Sequence, residues 1–112
     1  MKTLFLTGGS GGIGSAIAEK FRSQGYKIIA PRSKELNLAD PNSIEDYFIK
    51  NSLDVDVLIH SAGINSPKLL EELSFEEINN TFQINAASFY KLIQKFTPLF
   101  KEKRGGYKVE IW

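Results

Sequence analysis

The chain has 112 residues, 42% of them hydrophobic and 24% charged, with a formal net charge of +1. That length permits one domain with a modest core, so residues 1–112 are read as a single unit. Evenly spread, nearly balanced charge excludes an electrostatic footprint for nucleic acid or an acidic membrane, and the lack of cysteine excludes disulfides, thiolate nucleophiles and zinc–thiolate centres.

No metal site is expected, and no stretch approaches the length of a membrane span. The N-terminal apolar run ends at Gly8, too short for the core of a secretory leader, so the expected address is the cytoplasm.

Residues 2–7, KTLFLT, form an apolar run that stops at glycines, as a buried parallel strand does. Over residues 12–24, Ile13, Ala16, Ile17, Ala18 and Phe21 recur at helical spacing, and Gly25 closes the segment. Residues 26–30, YKIIA, read as a second strand, which completes a βαβ unit. No crossover helix fits into residues 31–38, which are expected to run as extended edge chain with at most a strand stub.

Asp40 and Pro41 then open a helix as N-cap and first-turn residue, with Ile44, Tyr47 and Phe48 on its apolar face. Residues 55–60, VDVLIH, are the next buried strand, followed by Ser61-Ala62-Gly63. Ser74-Phe-Glu-Glu77 is a capping box, and one long helix is expected from it to about residue 103. Its stripe is Ile78, Phe82, Asn85, Phe89, Leu92, Ile93, Phe96 and Phe100. Lys101, Lys103 and Arg104 at its end are ascribed to the helix dipole, and Glu71-Glu72 and Glu76-Glu77 to solvent and the dipole. Gly105-Gly106 stop the helix, and residues 107–112 form a last strand.

The stretch LTGGSGGIG, residues 6–14, lies between the first strand and its helix. Such a loop aims backbone N–H groups and a positive helix end at one point, which is a phosphate site. Gly14 is followed by Ser15-Ala16 rather than Lys-Ser/Thr, so nucleoside triphosphate hydrolysis is not expected.

Four features together resemble the short-chain dehydrogenase/reductase family. Thr7-Gly8-Gly9-Ser10-Gly11-Gly12-Ile13-Gly14 is similar to its TGxxxGIG loop, and Ser61-Ala62-Gly63 to the end of its NNAG motif. Asn37-Leu38 falls where the family contacts adenine with Asp-Val/Leu, and Asn85 resembles the helix asparagine behind its active site. The resemblance implies a three-layer, Rossmann-like, doubly wound parallel α/β sheet. Here it is incomplete, with about four to five strands and no helix after the second. It also implies that Thr7, Gly8, Ser10, Gly11, Gly12, Ile13 and Gly14 hold a dinucleotide's phosphates. Asn37, Leu38, Ser61, Ala62 and Gly63 would line its adenine and ribose side.

No carboxylate follows the second strand at residues 30–33, where an NAD site places one, whereas Arg32 and Ser33 could meet a 2′-phosphate. NADP(H) is therefore expected, with NAD(H) and a ribose contact from Glu35 as the alternative. The family's substrates are small carbonyls or alcohols, and its dimers commonly form through the long helix, so a homodimer through residues 80–103 is expected. Phe82, Phe89, Phe96 and Phe100 are expected to be partly uncovered.

The family's proton relay is a Tyr-x-x-x-Lys pair beside a serine. Four residues after Tyr26, Tyr47, Tyr90 and Tyr107 stand Ala30, Asn51, Gln94 and Ile111, so the pair is missing. Asn85 is the family's one active-site position here. His60 reads as a strand-end residue and not a base, since it and Ser61 point to opposite faces. GGYKVEIW departs from the family's GxIVxxSS ending, and Glu110 would put a charge into a normally apolar strand. The expected function is the NADP(H)-binding portion of a hydride-transferring oxidoreductase, inactive alone, in a chain truncated, frame-shifted or cut before its catalytic segment. The alternatives are a fragment of an extended-branch sugar-nucleotide reductase or epimerase, for which Gly8, Gly11 and Gly14 also fit TGxxGxxG, and a non-catalytic dinucleotide-binding module.

Overall fold

The computed structural model describes residues 1–63, 69–103 and 105–110. Four strands, β1 (Thr3–Thr7), β2 (Lys27–Ile29), β3 (Val57–His60) and β4 (Tyr107–Glu110), form a parallel sheet in the order β2-β1-β3-β4. Central β1 is buried along its whole length because both of its faces are covered. On one face Leu4, Leu6, Val57 and Ile59 pack with Ala18, Ile17 and Phe21 of α1 (Gly12–Ser23). On the other, Phe5 and Leu58 meet Ile44 and Tyr47 of α2 (Pro41–Lys50) and Leu92, Phe96 and Phe100 of α4 (Ser88–Glu102). This helix–sheet–helix sandwich is the expected doubly wound α/β architecture.

The Phe96 ring lies 5.1 Å from that of Phe5 and 5.2 Å from that of Phe48. Side chains of this size contribute about 1.5–3 kcal/mol each when fully buried. Phe89, Phe96 and Phe100, expected to be partly uncovered, are buried at 9%, 2% and 6% exposure. Phe96 is covered by α2, which Glu45 ties to α4 through Lys91 (2.6 Å) and Lys95 (2.5 Å). Phe89 stacks on His60, and Phe100 lies between Phe96 and Gly106. Phe82 alone of the four is open, at 69%.

The local signals at helix starts hold. Asp40 Oδ1 accepts from the Asn42 N–H at 3.0 Å with Pro41 in the first turn, and Ser74 Oγ accepts from the Glu77 N–H at 3.1 Å. The 31–38 segment differs from expectation. It closes into a turn in which the Glu35 and Leu36 N–H groups both donate to the Arg32 carbonyl at 2.9 Å. Burial of Leu36 in the main core pulls the chain inward, away from an extended edge.

The long helix also differs. It is α3 (Phe75–Phe82), a π turn over Gln83–Ala87, and then α4. In the π turn the Ser88 N–H donates to the Gln83 carbonyl, five residues back. An extra residue in a turn rotates one side of a helix against the other by about 100°. The continuous sequence stripe is thereby split, and α3 buries none of its residues.

At the far end of the sheet Lys103 pairs with Asp54 and, at 3.0 Å, with Asp56, whose other oxygen accepts from the Thr3 N–H at 2.8 Å. The Thr3 N–H, then Lys103, hold the Asp56 carboxyl below the usual carboxylate range. Specific ion pairs, beyond the dipole, thus explain this lysine. Arg104 of the same basic cluster, and Ile111 and Trp112 of the expected last strand, lie outside the described residues.

Candidate functional site

β1 and β3 end side by side, with Thr7 opposite His60 in register, and the chain leaves both strands at the same edge of the sheet. Ser61 N–H donates to the Thr7 carbonyl at 3.3 Å and Ala62 N–H to Thr7 Oγ1 at 3.2 Å, so the two strand ends are stitched together. Gly8 turns here with φ +71°, and a Cβ on it would stand 2.7 Å from the Ala62 nitrogen. Only glycine satisfies both the torsion and the spacing. Gly14 is required for another reason, since a Cβ on it would run into the Gly8 carbonyl.

α1 begins at this turn. Its N-cap, Gly11, contributes no side-chain cap, in contrast to Asp40 and Ser74 at the starts of α2 and α3. The N–H groups of a helix's first turn have no partner within the helix, and its dipole is positive at this end. The loop opens on a cleft of about 780 Å³. Thr7, Gly8, Gly9, Ser10 and Gly11 form one wall, Arg32 and Ser33 with Asn37 and Leu38 a second, and Ser61, Ala62 and Gly63 a third. Eleven of the fifteen expected site residues therefore border one cleft.

Gly12, Ile13, Gly14 and Asn85 are not among its lining residues. The first three form the opening turn of α1 behind the loop. Asn85 sits within the π turn, and its Oδ1 would be 3.2 Å from a Cβ on Gly63, so Gly63 is small where Asn85 approaches. Asn37 Oδ1 accepts from the Ala39 N–H at 3.1 Å, which rigidifies the loop while leaving the oxygen a second lone pair.

Gly9, Ala30, Pro31, Lys34, Leu36 and Ile84 also line the cleft, without having been singled out from sequence. Smallness at Gly9 was a readable signal, because a Cβ there would stand 2.9 Å from that of Ala30. Ile84 had none, since its position depends on the π turn.

His60 is fully buried, with Nδ1 2.8 Å from Thr7 Oγ1 and Nε2 2.9 Å from the Ile84 carbonyl. Burial pushes its pKa down, partly opposed by the hydrogen bond to Ile84. It is a structural imidazole at the strand end, out of reach as a base for a ligand. Among the described residues no three His, Asp or Glu side chains gather as metal ligands, and no helix is long and apolar enough to cross a membrane.

A family model described as short chain dehydrogenase matches residues 35–111. The 3-oxoacyl-(acyl-carrier-protein) reductase of Escherichia coli (strain K12) is 31% identical over 98% of this chain and 54% of its own length. A short-chain dehydrogenase from Leptospira borgpetersenii with bound NAD+ is 26% identical, with a TM-score of 0.82 over 97% of this chain and 50% of that one. A short-chain dehydrogenase from Sphingobium yanoikuyae in complex with NADPH shares the fold at 21% identity, with a TM-score of 0.86 over 98% of this chain and 52% of that one. The chain spans about half the length of the curated relatives it matches.

Proposed function

The chain belongs to the short-chain dehydrogenase/reductase family of oxidoreductases, and from that premise we propose that its cleft holds NADP(H). One observation carries the reading: the uncapped start of α1 meets a glycine turn at the mouth of a cleft whose second wall holds Arg32 and Ser33. Backbone N–H groups and the helix dipole suit a pyrophosphate. Gly8, Gly11 and Gly12, with the N–H of Ile13, would hold it, and Gly14 keeps the turn tight. Arg32 and Ser33 would hold a 2′-phosphate, while Asn37, Leu38, Ser61, Ala62 and Gly63 would border adenine and ribose.

Bound there, the nicotinamide supplies a hydride donor or acceptor for a carbonyl or alcohol. The chain's own residues bind and orient the cofactor, with Asn85 beside Gly63 at the third wall. No tyrosine in the 112 residues has a lysine four positions on, so these residues hold no Tyr-Lys proton relay. The reading is therefore a cofactor-holding half that does not turn over by itself. A stand-alone dinucleotide-binding module is the second reading, favoured by the burial of Phe89, Phe96 and Phe100 in the core beneath α4.

Calorimetric titration with NADPH and NADH, on the unmodified chain and on Arg32→Ala, tests the assignment. NADPH is expected to bind more tightly, and Arg32→Ala to lose about tenfold or more for NADPH with NADH unchanged. Equal loss for both cofactors would remove the 2′-phosphate role from Arg32.

A further inference from the structure

His60 joins two segments that are remote in sequence. Its Nε2 faces the Ile84 carbonyl at 2.9 Å, and a carbonyl oxygen can only accept, so Nε2 carries the hydrogen. In the neutral ring Nδ1 is then an acceptor, and the Thr7 hydroxyl, 2.8 Å away, donates to it. Thr7 Oγ1 in turn accepts from the Ala62 N–H at 3.2 Å. The bonds run in one direction, from Ala62 through Thr7 and His60 to Ile84. Stacking on Phe89, with ring centroids 5.4 Å apart and planes at 16°, sets the plane of the ring.

Both ends of this relay touch the candidate site. Thr7 immediately precedes the positive-φ Gly8, and Ile84 immediately precedes Asn85 within the π turn. The Ile84 carbonyl takes a second side-chain donor, Ser88 Oγ at 2.6 Å. Side-chain donors of this kind support a carbonyl that a π turn takes out of the regular ladder. We infer that His60 is a positioning residue, which through its Nε2–H tautomer holds the glycine loop and the turn bearing Asn85 in fixed relation across the cleft. The relay itself needs no cofactor, and only its effect on affinity rests on the NADP(H) reading.

Asparagine and glutamine divide the imidazole between them. Asn places an acceptor oxygen near the Nδ1 position, and Gln places a donor amide near the Nε2 position. Long-range proton–nitrogen spectra of the unmodified chain read the tautomer, with Nε2–H expected. Amide spectra then follow Gly8 and the Asn85 side chain in His60→Asn and His60→Gln. His60→Asn is expected to leave Gly8 in place and shift Asn85, and His60→Gln to do the reverse. NADPH affinity is expected to fall about tenfold for His60→Gln, which releases the loop, and about twofold or less for His60→Asn.

An Nδ1–H tautomer, or two variants that shift Gly8 and Asn85 alike, overturns the relay and leaves His60 a space-filling residue. The opposite order of affinities overturns it too. If a variant does not fold, the tautomer of the unmodified chain decides. If the unmodified chain binds no NADPH, the cofactor reading fails, while tautomer and spectra still decide the relay.

Discussion

The backbone of Ala62 passes so close to Gly8 that a Cβ on residue 8 would stand 2.7 Å from the Ala62 nitrogen, at a φ of +71°. Gly8→Ala therefore meets strain and a backbone clash together. Its expected cost is about 2 kcal/mol or more, measured as a shift of the urea midpoint. Gly12→Ala is the matched comparison, since a Cβ there meets nothing within 4 Å. It should leave folding stability nearly unchanged and weaken NADPH binding, which separates a glycine needed by the fold from one needed by the ligand.

Phe96 and Phe82 occupy one sequence stripe but two environments. Phe96→Ala is expected to cost about 3–5 kcal/mol, because the ring is locked between Phe5 and Phe48. Phe82→Ser should change stability by less than about 0.5 kcal/mol, given its 69% exposure. If the chain dimerises through residues 80–103, Phe82 and Tyr90 are the exposed aromatics there, and a charge at either should lower the mass seen by light scattering. Phe89 and Phe96 are unsuitable for that test, since they belong to the core.

The stripe shows where sequence reading succeeds and where it stops. Asp40-Pro41 and Ser74-Phe-Glu-Glu77 were legible because a cap is settled within four residues. The tight turn at Thr7 to Gly14 was legible because glycines clustered between a strand and a helix mark a close approach of backbone, as at Gly8 and Gly14. The break at Asn85 was not legible, because the π turn's side-chain donors include His60, 24 residues from Ile84 along the chain. The turn at residues 33–35 depends on burial of Leu36, and the Lys103 pairs depend on Asp54 and Asp56 arriving from β3's approach. Periodicity carries no information about such partners.

The two capped helices should respond differently to loss of their caps. Asp40→Ala removes the bond to Asn42 from a helix packed on the core, and about 1 kcal/mol of global stability should go with it. Ser74→Ala removes the equivalent bond from α3, which buries nothing. Hydrogen exchange should report fraying of α3 alone, with the denaturation midpoint unmoved.

Acid should destabilise the fold in two windows. Glu45 is held at about 2 against an ordinary 4.5, first by its hydrogen bond to Lys91 and then by that to Lys95. Its contribution is complete above the unfolded value and is lost as pH falls from there through about 2. His60 is held neutral by burial, with Thr7, Ile84, Ser88 and Phe89 as its contacts. Unfolded, it takes up a proton as pH falls through 6.5, and folded it does so only lower, so stability declines below 6.5. Urea midpoints from pH 7.5 to 3 should show both slopes, with His60→Gln flattening the upper window and Glu45→Gln the lower.

The cleft's role is tested most directly by calorimetric titration of the unmodified chain with NADPH and NADH, after circular dichroism has shown it folded. Saturable one-to-one binding that favours NADPH is the expected result. A folded chain that gives no heat with either cofactor would contradict the assignment of the glycine loop and Arg32 as a working dinucleotide site.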